Sequence, residues 1–445
     1  ERGRLRTTEA EQKAWESEGL DLLGEEVLAR PSDPTYESVL GPFPAMKRPR
    51  EVVGVKDHPF DVGVAFDGTL QFGGAKDDDQ YPTAFLEIGD PPYRFGSGKA
   101  PCTRRLLNGW MPVVILNDKH DELDIEQTVL GYTKDFSPDE PLFALIGIKV
   151  ANTGDAARQV KLVLRVQPAS QKSPPWITEL DVAAHAEIST CVSVPYAATE
   201  ASAVTLTSSD FQQRLTEVTR YWEKLISPAS RFEIPEQRIH DAYRAWLAYN
   251  FLNVDKRNGV YHVCDGSGFY EEVYGYSAAL YSHALDLMGY HDLSRLYMDS
   301  LLTFQQPDGL LCVNYGATDM GTVMSVIADH YLMTGDDDWL KQVAPRMIAM
   351  RDWIVSHRQE SMKHIHGKRA VVYGLVRWRP YCDHELPAFD YYCNAYLCSG
   401  MFKMAGVLGR VGMNAEAERF AKEAEAFHKD ILVSMDAAVI THDRM

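Results

Sequence analysis

The residues best suited to chemistry lie in the stretch VYGLVRWRPYCDHELPAFDYYCNAYLCSGMF, which covers positions 372–402. Asp383, His384 and Glu385 are consecutive within it, Arg377 and Trp378 precede them, and several aromatic residues follow. Carboxyl and imidazole groups can transfer protons, and aromatic rings supply flat faces for a bound molecule. Burial beside such rings raises the pKa of a carboxyl group and keeps its proton in place near neutral pH. The stretch therefore has the composition of a site for acid catalysis.

The segment from about residue 50 to residue 206 has the twofold periodicity of β-strands. Leu123, Ile125 and Val129 alternate with polar residues, and a turn at 152–155 separates two further alternating runs. Alternation broken by Asn, Gly and Asp turns is typical of antiparallel sheets with one buried face. We predict a β-sandwich over residues 50–206, preceded by an N-terminal extension over residues 1–49.

The periodicity becomes helical near residue 207 and stays helical to the end of the chain. Phe211, Leu215, Val218 and Trp222 share one helix face and predict a linker helix over residues 207–230. About seven helical patterns follow within residues 231–445, and several of them end at a glycine. Tight connections alternate with long ones, which predicts helical hairpins whose long loops share one rim, where functional groups concentrate. With 445 residues the chain is too long for one ordinary core, so the predicted fold class is multidomain β + α.

This organisation resembles the six-hairpin glycosidase group, which includes bacterial glucoamylases, maltose-type phosphorylases and α-L-rhamnosidases. The motifs that carry the resemblance are YEEVYGYSAALYSHALDLMGY, FQQPDGLL, GATDMGTVMSVIADHYLMTGDDDWL and YGLVRWRPYCDHELPAFDYYCNAY. The resemblance covers the chain from about residue 50 onward. It implies an (α/α)6 toroid behind an antiparallel β-supersandwich. Because a complete toroid contains more helices than this sequence predicts, we expect the toroid in residues 231–445 to be partial and the chain to be truncated or incomplete.

The resemblance implies that the general acid lies on the loop between the fifth and sixth toroid helices, which here carries Asp383 and Glu385. Glu has the longer side chain and the higher intrinsic pKa, about 4.3 against about 3.9, so Glu385 is the preferred acid and Asp383 the alternative. In the competing interpretation, the loop is solvated and Asp383 only caps the local backbone. The catalytic base comes from a later loop in the family and is not assigned to a residue.

Sugar-binding groups are expected around this acid. Trp378 and His384 are predicted to contact the substrate, and Arg377 could pair with a uronate or sulfate group. For Arg377 and the other basic residues of this loop, a solvated position without a ligand is the alternative.

The resemblance further implies a sugar-binding role for the loop CDGSGFYEEVYGY between the first two toroid helices. Its candidate residues are Asp265, Tyr270, Glu271, Glu272 and Tyr274. Carboxylates there could accept hydrogen bonds from neighbouring sugar hydroxyls. The alternative for Glu271 and Glu272 is that they only stabilise the positive N-terminus of the next helix.

The loop PDGLLCVNYGATD offers a third set of groups. Asn314 can both donate and accept hydrogen bonds, and Tyr315 supplies a flat face, so both are predicted to bind sugar. Asp319 is expected to be the N-cap of the following helix.

Together these residues predict a glycoside hydrolase that cleaves an oligosaccharide or polysaccharide by general acid/base catalysis, with inversion expected from the resemblance. The alternatives are a carbohydrate phosphorylase, a polysaccharide lyase on a related toroid, and a non-catalytic carbohydrate-binding protein. The sequence has no Gly-rich phosphate loop after a strand and no G-x-S-x-G motif, so nucleotide-binding and serine-hydrolase chemistry are not supported.

Charge and composition restrict the partners. The net charge of -18 argues against nucleic acid, and no apolar run approaches the roughly 18 residues that would span a membrane. We expect no cofactor and no metal site, since His364 and His366 lack a suitably spaced carboxylate partner. The odd number of cysteines, seven, and the lack of a visible signal peptide slightly favour the cytoplasm, with a periplasmic or secreted location left open. A partial toroid would expose an apolar flank, which predicts self-association into a homo-oligomer.

Overall fold

The computed structural model covers the full chain, and the described part consists of residue 29 and nine longer segments. These segments are 51–73, 82–98, 102–167, 175–196, 203–231, 233–267, 270–314, 316–381 and 386–439. Contacts group Pro49–Met445 into one compact unit, and the following description concerns that unit.

Two antiparallel sheets occupy the first half of the unit. The first sheet has the strand order β1-β2-β3-β4-β10-β11, with β5 paired to β4, and the second has the order β13-β12-β9-β8-β7-β6. Their strands are β1 (Glu51–Val53), β2 (Val62–Val64), β3 (Leu70–Phe72), β4 (Thr83–Ile88), β5 (Tyr93–Arg94), β6 (Thr103–Leu107), β7 (Met111–His120), β8 (Leu123–Tyr132), β9 (Phe143–Asn152), β10 (Arg158–Gln167), β11 (Trp176–Val182), β12 (Glu187–Pro195) and β13 (Val204–Leu206).

The second sheet is covered on both faces, which explains its long hydrophobic strands. On β7, Val114 packs into the core shared with the first sheet, whereas Val113 packs into the core shared with the helices. The same alternation places Val129 of β8 in the sandwich core and Leu130 in the helical core. Neighbouring side chains of a strand point to opposite faces, so a strand buried on both sides needs apolar residues at successive positions.

Within the described segments, eight α-helices and two short hairpins follow the sheets. The helices are α1 (Ser208–Ile226), α2 (Gln237–Leu252), α3 (Gly275–Leu287), α4 (His291–Leu302), α5 (Thr318–Thr334), α6 (Asp337–Ser361), α7 (Tyr391–Leu408) and α8 (Asn414–Ala438). The hairpins are β14 (Val254–Arg257) with β15 (Val260–Val263), and β16 (His364–Ile365) with β17 (Lys368–Arg369). None of the helices in the described segments is long and apolar enough to cross a bilayer.

Local sequence signals begin and end several of these helices. Thr207 caps α1 by accepting a hydrogen bond from the backbone of Asp210, and Asp336 caps α6 by accepting one from the backbone of Trp339. Helix α5 ends at Gly335, whose φ of 68° is the left-handed conformation that glycine adopts readily. The turn between α5 and α6 is therefore tight, as expected for a helical hairpin.

The helices after α2 form two layers. Helix α5 packs between α3 and α7, and α4, α6 and α8 each pack against helices of this row. Contacts between Gly275 and Asp319, and between Tyr276 and Tyr392, bring the N-terminal ends of α3, α5 and α7 together. An antiparallel β-sandwich followed by layered helical hairpins confirms the predicted fold class and is consistent with a partial toroid.

Candidate functional site

Three long connections meet at the N-terminal ends of α3, α5 and α7. They are the loops 264–274, 303–317 and 362–390, which precede these three helices in turn. The side-chain amide of Asn314 donates to the backbone oxygen of Val273 at 2.7 Å, and the Arg379 guanidinium donates to the backbone oxygen of Asn314 at 2.9 Å. These hydrogen bonds join the second loop to the first and the third.

Four tyrosines gather where the loops meet, and we call Tyr276, Tyr381, Tyr392 and Tyr396 the tyrosine cluster. The hydroxyls of Tyr276 and Tyr396 lie 2.9 Å apart, and the rings of Tyr276 and Tyr381 are 4.8 Å apart at their centroids. Burial, followed by the neighbouring hydroxyls, raises the pKa of Tyr276. The cluster therefore presents neutral hydroxyls and ring faces, the groups with which proteins bind polar molecules that carry apolar faces.

Asp265 places a carboxyl group beside this cluster. The hydroxyl of Ser277 donates to Oδ2 of Asp265 at 3.3 Å and lies 3.4 Å from the hydroxyl of Tyr381. Partial burial raises the pKa of Asp265, and the hydrogen bond from Ser277 opposes that rise. Asp265 and Tyr381 come from different loops, so the predicted first loop and the loop that carries the acidic residues meet at this point.

The buried side chain of Asp319 links the second loop to the first turn of α3. Its side chain is fully buried, and its Oδ2 accepts a hydrogen bond from the backbone of Val313 at 2.7 Å and another from the backbone of Tyr276. Burial raises the pKa of Asp319 to about 8, although these two hydrogen bonds favour the ionised form. The prediction that Asp319 is an N-cap is wrong, because Ala317 occupies that position and the carboxyl reaches outside its own helix.

The loop that carries the predicted acids is closed at its base. Trp378 and Ala388 exchange two backbone hydrogen bonds, and Asp390 caps α7 by accepting from the backbone of Cys393 at 2.6 Å. Asn394 of α7 also holds the backbone of Val376 by hydrogen bonds in both directions. The flanks of this loop are thus fixed against α7.

Four of the predicted site residues lie outside the described residues: Tyr315, Asp383, His384 and Glu385. Their roles stay predictions that rest on the sequence. The described neighbours of the last three are Tyr381, which belongs to the tyrosine cluster, and Leu386, which is exposed.

Among the described residues, no ring contact or hydrogen bond joins Trp378 or Arg377, the other residues predicted for the acid loop, to the tyrosine cluster. The ring of Trp378 packs against Trp353 and His357 of α6, with centroids 5.0 and 5.7 Å away. Arg377 is exposed to solvent. Sequence spacing places both residues near the acids, but the direction of each side chain depends on packing that the spacing does not encode.

The residues predicted in the first loop, 264–274, have different surroundings. Tyr270 and Tyr274 pack edge to face with centroids 6.1 Å apart, and Tyr270 is half exposed. The backbone oxygen of Glu272 accepts from the backbone of Asp265, which closes the turn. Glu271 forms an ion pair with Arg257 at 3.2 Å, whereas Asp265 is joined to the tyrosine cluster through its hydrogen bond with Ser277.

Glu271 instead faces a small acidic cavity between this loop and the β-sandwich. The cavity measures about 10 Å³, room for about one water molecule, and Asp61, Asp255 and Glu271 line it. Burial raises the pKa of Asp255 to about 7, despite an ion pair with Arg257. The sequence did not reveal this group, because Asp61 belongs to a segment read only as part of the sandwich.

The sequence also did not predict that the four residues of the tyrosine cluster lie together. Tyr392 and Tyr396 have the i, i+4 spacing of one helix face, and that signal was present in the sequence. Tyr276 lies 120 positions before Tyr396, and no local pattern joins them.

A separate group with metal-ligand chemistry, Asp286, His291 and His330, lies near the opposite ends of α3 and α5. The expectation of no metal site considered only histidines that are close in the sequence. A whole helix separates His291 from His330, so that expectation did not cover this group.

Comparison with known proteins shows a similarity in fold to a solved structure, but no similarity in sequence to a known family. No family model matches the chain, and no curated protein sequence is significantly similar to it. Among solved structures, the chain is similar to a bacterial glucoamylase complexed with acarbose, at 11% sequence identity and a TM-score of 0.49. The match covers 86% of this chain and 67% of the glucoamylase. At this identity the likeness assigns no residue and no activity to the present chain.

Proposed function

We propose that the protein is a glycoside hydrolase whose substrate binds over the tyrosine cluster. The observation that carries this proposal is the hydrogen-bonded series from Asp265 through Ser277 to Tyr381, which joins two separate loops. Carboxylates and hydroxyls of this kind suit sugar hydroxyls, and ring faces suit the apolar faces of a pyranose.

The acid is proposed to be Glu385, with Asp383 as the alternative. These residues follow Tyr381 by four and two positions in the sequence. Consecutive Cα atoms are about 3.8 Å apart, so the covalent chain limits the distance from either residue to Tyr381. This closeness in the chain, together with the fixed base of the loop, supports a proton donor beside the tyrosine cluster.

In the proposed reaction, Glu385 gives its proton to the glycosidic oxygen as the bond to the anomeric carbon breaks. A water molecule attacks that carbon and loses a proton to a second carboxylate, and the configuration inverts. Asp265 is proposed to accept hydrogen bonds from sugar hydroxyls, while the tyrosine cluster orients the ring.

Glu385→Gln and Asp383→Asn test the assignment. On natural oligosaccharides the variant of the true acid is expected to lose about 10²- to 10⁴-fold in kcat/KM, the usual contribution of a general acid. On aryl glycosides with an activated leaving group it should retain most of its activity, because such a leaving group departs without protonation. Glu360→Gln, which changes an exposed carboxyl at the end of α6, is the matched control.

Full activity of both variants on natural substrates would show that the acid lies elsewhere. The anomer formed first, followed by proton NMR, tests inversion separately. A first product with the configuration of the substrate would contradict the inverting mechanism but leave hydrolysis in place.

A further inference from the structure

We propose that Asp286, His291 and His330 form a zinc-binding site at the end of the helical layers opposite the tyrosine cluster. Asp286 lies at the last turn of α3, His291 begins α4, and His330 lies in the last turns of α5. Eleven helical positions separate Gly275 from Asp286, a rise of about 16 Å along the helix axis. The group is therefore distinct from the proposed sugar site.

The three potential ligand atoms already surround a common point. Nδ1 of His291 and Nδ1 of His330 lie 3.0 and 2.8 Å from Oδ1 of Asp286, and all three ligand atoms lie within 4.8 Å of one another. Tetrahedral Zn²⁺ bound at about 2.0–2.1 Å places its ligand atoms about 3.3 Å apart. The two nitrogen–oxygen distances need to lengthen by only a few tenths of an ångström to admit the ion, and His291 has freedom to adjust because its side chain is 41% exposed.

The surroundings orient these groups as ligands. The hydroxyl of Ser294 donates to Oδ2 of Asp286 at 2.7 Å, and Nδ1 of His330 lies nearer to Oδ1, at 2.8 Å, than to Oδ2, at 3.1 Å. The ring of His330 is buried against Trp339, with centroids 4.7 Å apart. Partners that fix the direction of a ligating carboxylate or imidazole are typical of protein zinc sites. The exposed edge of His291 leaves room for a water molecule as the fourth ligand.

The donor set selects the class of ion. Two imidazole nitrogens and one carboxylate oxygen suit Zn²⁺, whereas Ca²⁺ and Mg²⁺ prefer sites made of oxygen atoms alone. The ligands come from three helices, so a bound ion would fasten α3, α4 and α5 together. An ion that binds only the folded chain raises its thermal stability.

The competing possibility is a hydrogen-bonded cluster without an ion, in which both imidazoles donate to Asp286. The full chain, treated with a chelator and dialysed, can decide by calorimetric titration with ZnCl₂ and by thermal melting with ZnCl₂ or MgCl₂. We expect one saturable Zn²⁺ site per chain and a higher melting temperature with Zn²⁺ but not with Mg²⁺. His291→Gln, which can still donate a hydrogen bond to Asp286, should weaken Zn²⁺ binding at least tenfold.

His364→Gln, which changes a histidine on an exposed hairpin, is the control and should bind Zn²⁺ as the wild type does. Equal Zn²⁺ affinity in His291→Gln and the wild type, or no saturable binding by the wild type, would overturn the proposal. The Co²⁺-loaded wild type gives a readout that needs no variant, since tetrahedral Co²⁺ absorbs strongly in the visible range and octahedral Co²⁺ only weakly. A weak octahedral spectrum would contradict the site, and none of these measurements depends on a sugar substrate.

Discussion

Gly321 of α5 lies directly against the backbone oxygen of Tyr396 in α7, and a Cβ atom at position 321 would overlap that oxygen. Gly400 of α7 approaches the backbone of Gly321 in the same way, and its Cβ would be 2.5 Å from the Gly321 oxygen. The two helices therefore cross at backbone contact. Because Tyr396 also belongs to the tyrosine cluster, the crossing that joins α5 to α7 also positions the candidate site.

Gly321→Ala is expected to destabilise the protein by about 1–3 kcal/mol or more. The added methyl group meets backbone atoms, which cannot move aside as a flexible side chain can, and overpacking of this kind costs about 1–3 kcal/mol or more. Urea denaturation would measure the change. Gly406→Ala, on the exposed face of α7 with open space around its Cβ, should instead stabilise the protein by up to about 1 kcal/mol. Equal stability of the two variants would contradict a close helix crossing.

The sequence predicted the parts of this fold that depend on local periodicity. The alternation of Leu123, Ile125 and Val129 corresponds to β8, and the turn at 152–155 separates β9 from β10. Phe211, Val218 and Trp222 form the buried face of α1. In each case, the spacing of apolar residues determines which side can be buried, so the pattern and the element agree.

The contacts within the candidate site could not be predicted in the same way. The hydrogen bond between Ser277 and Tyr381 joins positions that are 104 apart, and the pairing depends on how α3 and α7 pack. Glu271 illustrates the limit, since the sequence predicts a sugar-binding role for it but its side chain pairs with Arg257. Loop lengths predict which segments share a rim, whereas side-chain direction depends on tertiary packing.

Tyr392→Ala is expected to weaken oligosaccharide binding about five- to tenfold while leaving the melting temperature nearly unchanged. Tyr392 is the most exposed tyrosine of the cluster, at 46%, so its ring is open to a ligand. The loss of one stacked ring corresponds to about 1 kcal/mol. Calorimetric titration with oligosaccharides would measure the effect. Phe402→Ala removes a ring of similar exposure, 41%, from the other end of α7 and should leave binding unchanged.

Arg358→Met is expected to destabilise the protein by about 3–5 kcal/mol. Arg358 is fully buried, and its guanidinium pairs with Asp430 at 2.7 Å and donates to the backbone oxygen of Gly374 at 2.9 Å. Removal of this cation leaves the buried carboxylate of Asp430 with Arg369 as its remaining cationic partner, and breaking a buried pair costs about that amount. Thermal melting and urea denaturation would measure the loss.

The same substitution tests whether this network positions the acid loop. Gly374 lies in the loop that continues to Tyr381, so Arg358→Met should also lower activity at temperatures where the variant is still folded. Arg419→Met, which removes an exposed partner of Glu416, should change stability by less than about 1 kcal/mol. A similar loss in both variants would contradict a special role for the buried cation.

Asp319→Asn is expected to change how stability depends on pH. Burial raises the pKa of Asp319 in the folded chain to about 8, against an ordinary value of 3.8 for an aspartate side chain. Between these values the folded chain holds a proton that the unfolded chain has released, so the contribution of Asp319 to stability is full below about pH 4. It falls by about 1.4 kcal/mol for each pH unit up to about pH 8. Asparagine cannot ionise, so the variant should lose less stability over this window.

The difference between the wild-type and Asp319→Asn curves of stability against pH reports the titration of Asp319 alone, because the other titrating groups are present in both proteins. Asparagine keeps an oxygen to accept from Val313 and Tyr276, but its amide nitrogen replaces Oδ1, which has no hydrogen-bond partner among the described residues. The variant should therefore be less stable than the wild type at pH 5 and should recover relative to it by pH 8. Asp338→Asn removes an exposed carboxyl at the start of α6 and should leave the slope unchanged. Parallel curves for the wild type and Asp319→Asn would show that Asp319 is ionised throughout this range, contrary to the effect expected of its burial.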